Sequence, residues 1–210
     1  MSISKIYTIG HSTHQLEYFL ELLQSFGVNC IIDVRSVAAS SYNPQYNREP
    51  LSNFLREHNI TYTHFAREFG ARHTEPELLD EEGKVNFDKV RNTEDFKNGI
   101  IRLKQGIEKG FTIALMCSES EPIDCHRYSM ISVALEKEGL EVLHIIKDKT
   151  IKSNAQLENQ LLKRYDKKLP KPTMFDPNVT LNDQLTVAYR LKNQEIAFSP
   201  FVKEPQEKYG

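Results

Sequence analysis

Cysteine is scarce in this chain: Cys30, Cys117 and Cys125 are the whole complement. An odd number at wide spacing excludes a disulfide framework and leads us to expect reduced thiols in a cytoplasmic protein. Apolar residues never run for the roughly 18–20 positions a bilayer-spanning helix requires, so no membrane partner is expected. The opening Met1-Ser2-Ile3-Ser4-Lys5-Ile6 lacks the apolar core and small-residue cleavage site of a signal peptide. A formal charge of −2 argues against a protein that coats polyanions generally. Glycine forms neither the dinucleotide nor the triphosphate loop signature. There is no internal repeat and no low-complexity tract.

What is present fits one domain of 210 residues, long enough to bury a core without staples. Lys5-Ile6-Tyr7-Thr8-Ile9 reads as a strand closed by Gly10. Leu16, Phe19, Leu20, Leu22, Leu23 and Phe26 recur at helical spacing, with Thr13 as the expected N-cap and Gly27 as the stop. Val28 to Val34 is a nearly continuous apolar run, the mark of a strand buried on both faces. Strand, helix, strand within about 30 residues is a βαβ unit. Further strands are expected at 60–65, 111–116 and 141–146. Helices are expected to open at Pro50, to carry Phe96 to Ile107, to carry Met130 to Leu135, and to span 154–165. Glu68 to Glu82 reads as a long excursion. These segments predict an α/β fold of three layers, with a mostly parallel central sheet flanked by helices. The expected organisation is an α/β domain over 1–168 and a C-terminal extension over 169–210. In that extension Leu185 to Tyr189 is the only strong strand candidate.

The chemistry concentrates between positions 117 and 127. Cys117, Ser118 and Glu119 end an apolar strand, and Asp124-Cys125-His126-Arg127 follow where a helical pattern begins. Asp124 is the expected N-cap, placing Cys125 in the first turn beside the positive end of the macrodipole, which favours thiolate. Arg127 suits bidentate recognition of carboxylate or phosphate. Two other strand ends carry polar groups, Gly10-His11-Ser12-Thr13-His14 and Asp33-Val34-Arg35-Ser36. In a parallel sheet these ends share one edge, where ligands collect. The candidate site is therefore Cys125 as nucleophile, His126 or His11 as base, and Ser12, Asp33, Arg35, Cys117, Glu119 and Arg127 as ligand-binding groups. An arginine six residues after the cysteine, as in phosphatase and rhodanese-like loops, is missing, because that position is Ile123.

Two alternatives accompany this reading. Cys117, Cys125 and His126, with His11 or His14, are soft ligands for zinc or iron. Their spacing is not that of a zinc ribbon, and no cofactor is legible. Lys147 to Lys171 holds eight Lys and Arg against three acidic residues. With the loop of Tyr42 and Tyr46, and with Arg72 and His73, it suits a nucleic-acid-binding module. A solvated helix face explains the same charges. The expected partner is thus a small anionic ligand or nucleic acid.

Taken in order, Ile9-Gly10-His11-Ser12, Ile32-Asp33-Val34-Arg35-Ser36, Asn43-Pro44-Gln45-Tyr46-Asn47, Ile60-Thr61-Tyr62, Phe69-Gly70-Ala71-Arg72, Cys117-Ser118-Glu119, Asp124-Cys125-His126-Arg127, Val142-Leu143-His144-Ile145 and the helix around Glu158 resemble the domain-of-unknown-function 488 family. The likeness extends from Ile6 to Arg164. It departs at Ala71, where the family commonly has a second glycine, and near Val37, where it commonly has proline. The resemblance implies an α/β domain with its site at this edge, and no particular reaction.

Overall fold

The computed structural model describes residues 4–174 and 177–201. Six strands form one sheet in the order β3-β2-β4-β1-β5-β6. They are β1 (Lys5–Gly10), β2 (Cys30–Asp33), β3 (Thr61–His64), β4 (Ile113–Cys117), β5 (Glu141–Ile145) and β6 (Ile151–Ser153). The first five run parallel, and β6 pairs antiparallel with β5 at the sheet edge. The helices are α1 (Leu16–Ser25), α2 (Arg48–Glu57), α3 (Ala66–Phe69), α4 (Phe87–Arg91), α5 (Glu94–Glu108), α6 (Val133–Lys137), α7 (Asn154–Tyr165) and α8 (Leu181–Ile196). A π-helical turn, Arg127–Ser132, leads into α6. No helix among the described residues is long and apolar enough to cross a membrane.

Alternation along the strands builds the two inner layers. Cys30 and Ile32 of β2, with Ile113, Leu115 and Cys117 of β4, face the side covered by α3 to α6. Ile31, Ala114 and Met116 face the other side, against Phe19, Leu22 and Leu23 of α1 and Leu51 and Leu55 of α2. Each such apolar side chain contributes about 1.5–3 kcal/mol when fully buried. A third cluster joins Ile123 and Tyr128 to Leu157, Leu161, Tyr165, Leu169 and Ala188. The C-terminal helix α8 thereby extends the core.

Four local expectations need correction. Gln15, not Thr13, precedes α1, in extended conformation and with no side-chain cap. The chain turns at Ser12, which adopts φ 49° and leaves Thr13 one turn short of the helix. The second helix begins at Arg48, so Pro50 falls within its first turn, where the missing N–H has no intrahelical partner to lose. Leu185 to Tyr189 is the middle of α8, not a strand. A Thr180–Asp183 capping box starts that helix, and its stripe of Ala188 and Lys192 is buried. Finally, Asp124 does not cap the helix after it. Cys125 is extended at φ −130° and ψ 145°, and its carbonyl accepts the N–H groups of Tyr128 and Ser129. Residues 175–176 and 202–210 of the 169–210 extension lie outside the described residues.

Candidate active site

Because β4 lies between β2 and β1, three polar strand ends converge at one edge. The junctions are hydrogen bonded: His11 N–H donates to Cys117 O at 2.9 Å, Ser12 N–H to Ser118 O at 2.9 Å, and Val34 N–H to Met116 O at 3.0 Å. Gly10 makes this close passage possible. A Cβ there would fall 1.9 Å from Glu119 O.

One half of the edge is a charge knot. Asp33 is fully buried and takes Arg35 Nε at 2.9 Å on Oδ1 and Arg35 NH2 at 2.6 Å on Oδ2. Tyr62 OH donates to the same Oδ2 at 2.7 Å. Arg35 NH2 also donates to Tyr46 O at 2.7 Å, and NH1 to His11 Nε2 at 3.2 Å. Four of the five guanidinium N–H groups are therefore used, leaving one on NH1. His11 must accept at Nε2, so its Nδ1–H donates to Ser12 O at 2.7 Å. Burial, then the Arg35 charge, lowers the His11 pKa to about 4, and the ring stays neutral. It stacks on Tyr46 at 4.1 Å between ring centroids.

The other half is built on sulfur. Cys125 Sγ lies 3.0 Å from Glu119 Oε2, in a hydrogen bond from thiol to carboxylate. Cys117 Sγ and Cys125 Sγ are each 3.8 Å from His126 Nδ1. His126 Nε2–H donates to Val34 O at 3.1 Å, which turns Nδ1 toward the sulfurs. Arg127 N–H points at Cys125 Sγ from 3.5 Å. The Arg127 guanidinium is wholly buried and donates to Glu119 O at 2.8 Å and Ser120 O at 3.1 Å.

These contacts separate the titrations. Burial alone would raise the Cys125 thiol. A hydrogen bond from Cys117 and the charges of Arg127 and His126 outweigh it and hold Cys125 well below an ordinary thiol. Cys117 is driven up by its hydrogen bond to Cys125 and by burial. Burial and the Cys125 charge raise Glu119. Burial opposes charge on His126, but the neighbouring Cys125 and Glu119 prevail and raise it. The directions favour charge on Cys125 and a retained proton on Cys117.

A cavity of about 690 Å³ opens over this half. Cys117, Cys125, His126, Glu119 and Arg35 line it, and its size suits a small molecule. The structure brings those five of the expected residues to one space. It does not bring the others there. His11 and Asp33 stand behind Arg35, Ser12 contributes its backbone, and Arg127 supports the loop beneath Glu119. His14 packs edge-on against Tyr18, away from the sulfurs. The sulfur and Nδ1 atoms of Cys117, Cys125 and His126 lie within 4.8 Å of one another, close enough for one metal ion to take all three. All three cysteines are free and buried.

Several partners were not singled out from sequence. Tyr62 anchors Asp33, His64 Nε2–H holds Arg35 O at 2.7 Å, and the Val34 carbonyl orients His126. The first two depend on the pairing of β3 beside β2, a long-range feature. Part of the basic stretch is paired with acidic side chains at the surface of the chain. Arg164 pairs with Asp124 at 2.8 Å, Lys149 with Glu21 at 2.6 Å, and Lys171 with Asp166.

The architecture and this edge define an α/β protein with a thiol–imidazole–carboxyl cluster at the ends of its parallel strands. Residues 15–134 match the family described as Domain of unknown function DUF488, and the chain belongs to that family. No curated protein and no solved structure matches it. The matched span includes Cys117 to Arg127 and leaves out β1, with His11, and everything from β5 to α8.

Proposed function

We propose that this protein is a thiol-dependent enzyme in which Cys125 is the nucleophile. The observation that carries this reading is the environment of one atom. Cys125 Sγ borders the cavity with Glu119 Oε2 at 3.0 Å, His126 Nδ1 at 3.8 Å and the Arg127 N–H at 3.5 Å. Such a setting favours thiolate and places a proton carrier beside it. The thiol proton passes to Glu119 as sulfur attacks an electrophilic centre of the substrate. The leaving group departs with that proton, and water then releases the product and restores the thiol. In each half Glu119 takes the proton of the attacking group, first the thiol and then water, and returns it to the departing one, first the leaving group and then the sulfur. His126, fixed by Val34 O, stabilises the thiolate. The cavity volume admits a substrate up to about nucleotide size.

Alkylation by iodoacetamide across pH, with the site read by mass spectrometry, tests this. Cys125 should react with a midpoint well below the free-thiol value of about 8.5, and Glu119→Gln should displace that midpoint. A midpoint at or above the free value overturns the proposal. The convergence of Cys117, Cys125 and His126 would also suit a soft metal ion, so metal content decides between the two. About one equivalent of zinc or iron in untagged protein overturns the nucleophile reading in favour of a metal centre.

A further inference from the structure

Two carboxylates besides Glu119 border the cavity: Asp124, the chain neighbour of Cys125, and Glu195, near the end of α8. Left bare, both would repel an anion approaching the sulfur. Both are tied off by the same ammonium. Lys192 has a wholly buried side chain, and its Nζ lies 2.6 Å from Asp124 Oδ1 and 2.9 Å from Glu195 Oε1. Arg164 NH1 donates to Asp124 at 2.8 Å and stands 3.7 Å from Glu195, and Tyr165 OH donates to Glu195. Two cations thus balance two carboxylates. In the remaining charged lining Arg72 and Lys84 stand against Glu119, with Arg35 already paired to Asp33 and Lys84 3.9 Å from Glu82.

A buried lysine is an expensive way to hold a helix. Apolar residues of similar volume often serve stability as well or better. The position of Lys192 between the two carboxylates points instead to electrostatic control of the cavity. We infer that the cavity selects anionic substrates and that Lys192 sets this selectivity by neutralising Asp124 and Glu195. The inference rests on the thiol reading for what the selected anion would meet. Because α8 lies outside residues 15–134, the selecting device belongs to a part of the chain that the family match does not cover.

Two alkylating reagents of similar size read the selection: iodoacetate, which is anionic, and iodoacetamide, which is neutral. The ratio of their rates at Cys125 cancels the thiolate fraction and leaves the field of the cavity. Against neutral N-acetylcysteine amide, the wild-type ratio should be raised. Lys192→Met should lower it about threefold to tenfold, the scale of one charge at partly screened range. Lys192→Arg should retain it, and Glu195→Gln should raise it. If Lys192→Met does not fold, Lys84→Gln at the half-exposed rim tests the same field and should also lower the ratio. A wild-type ratio no higher than that of the free thiol overturns the inference, as does a ratio unmoved by Lys192→Met, or by both Lys84→Gln and Glu195→Gln. If Cys125 resists both reagents, the thiol reading fails on its own. Thermal-shift titration with inorganic pyrophosphate then tests selection separately. Stabilisation that is lost in the Lys192 or Lys84 variant upholds it, and no stabilisation of the wild type overturns it.

Discussion

Gly10 shows how tightly the edge is drawn. Its missing side chain lets β1 end against the backbone of Glu119, and an added Cβ would also meet Arg127 NH2 at 3.1 Å. Both neighbours are fixed, because Arg127 is buried and bonded to the carbonyls of Glu119 and Ser120. Gly10→Ala should therefore destabilise the protein by about 1–3 kcal/mol or more, the usual cost of overpacking. Urea denaturation would show it, together with altered alkylation of Cys125 as the 118–120 segment shifts. At this scale the sequence reading found residue types better than roles. Cys125, His126, Cys117, Glu119 and Arg35 were legible because polar residues abutting buried strands must find partners. What was not legible was which partner each would take. His11 is a strand-end histidine like any other until Arg35 NH1 is seen to donate to its Nε2. Glu119 gains its link to Cys125 only through the path of the intervening turn.

Among the elements, α8 departs furthest from expectation. Leu185-Thr186-Val187-Ala188-Tyr189 reads as strand by propensity, yet the segment is helical from Leu181 to Ile196. The capping box and the packing of Ala188 on the α7 cluster override a weak local preference. Thr180→Ala removes the side-chain oxygen that accepts Asp183 N–H at 3.2 Å. It should cost about 1 kcal/mol, the usual value of an N-cap. Hydrogen exchange should locate the loss in the first turn of α8. The βαβ start and α7 were readable because their apolar periods are strong. The order of the strands was not, because nothing local tells β4 to insert between β2 and β1. That choice depends on burying both faces of Ile113 to Cys117, a long-range demand.

For the whole molecule, two buried histidines set the acid limit. His11 is lowered to about 4, chiefly by burial and then by the Arg35 charge. His144 is lowered to about 3, chiefly by burial, with Thr8 Oγ1 at 2.8 Å on Nδ1 and Asn154 Oδ1 at 3.2 Å from Nε2. In the unfolded chain both titrate near 6.5, so the unfolded state takes up protons that the fold refuses. Their contribution is intact above pH 6.5, shrinks as pH falls below it, and is lost near 4 for His11 and near 3 for His144. By pH 4 each accounts for about 3 kcal/mol. Urea midpoints should fall steeply between pH 7 and pH 4.5, and His144→Gln should flatten that fall. An unchanged slope in the variant would remove His144 from the account.

Cys125 occupies two positions at once. Its carbonyl accepts the first N–H bonds of the following helix, and its sulfur receives the Arg127 N–H. Any group attached to that sulfur must share space with the foundation of a helical column that runs through Tyr128 into the cluster under α7 and α8. Occupancy of the sulfur is thereby written into the seating of the helix. The aromatic pair Tyr128 and Tyr189, with ring centroids 5.5 Å apart, packs in that cluster.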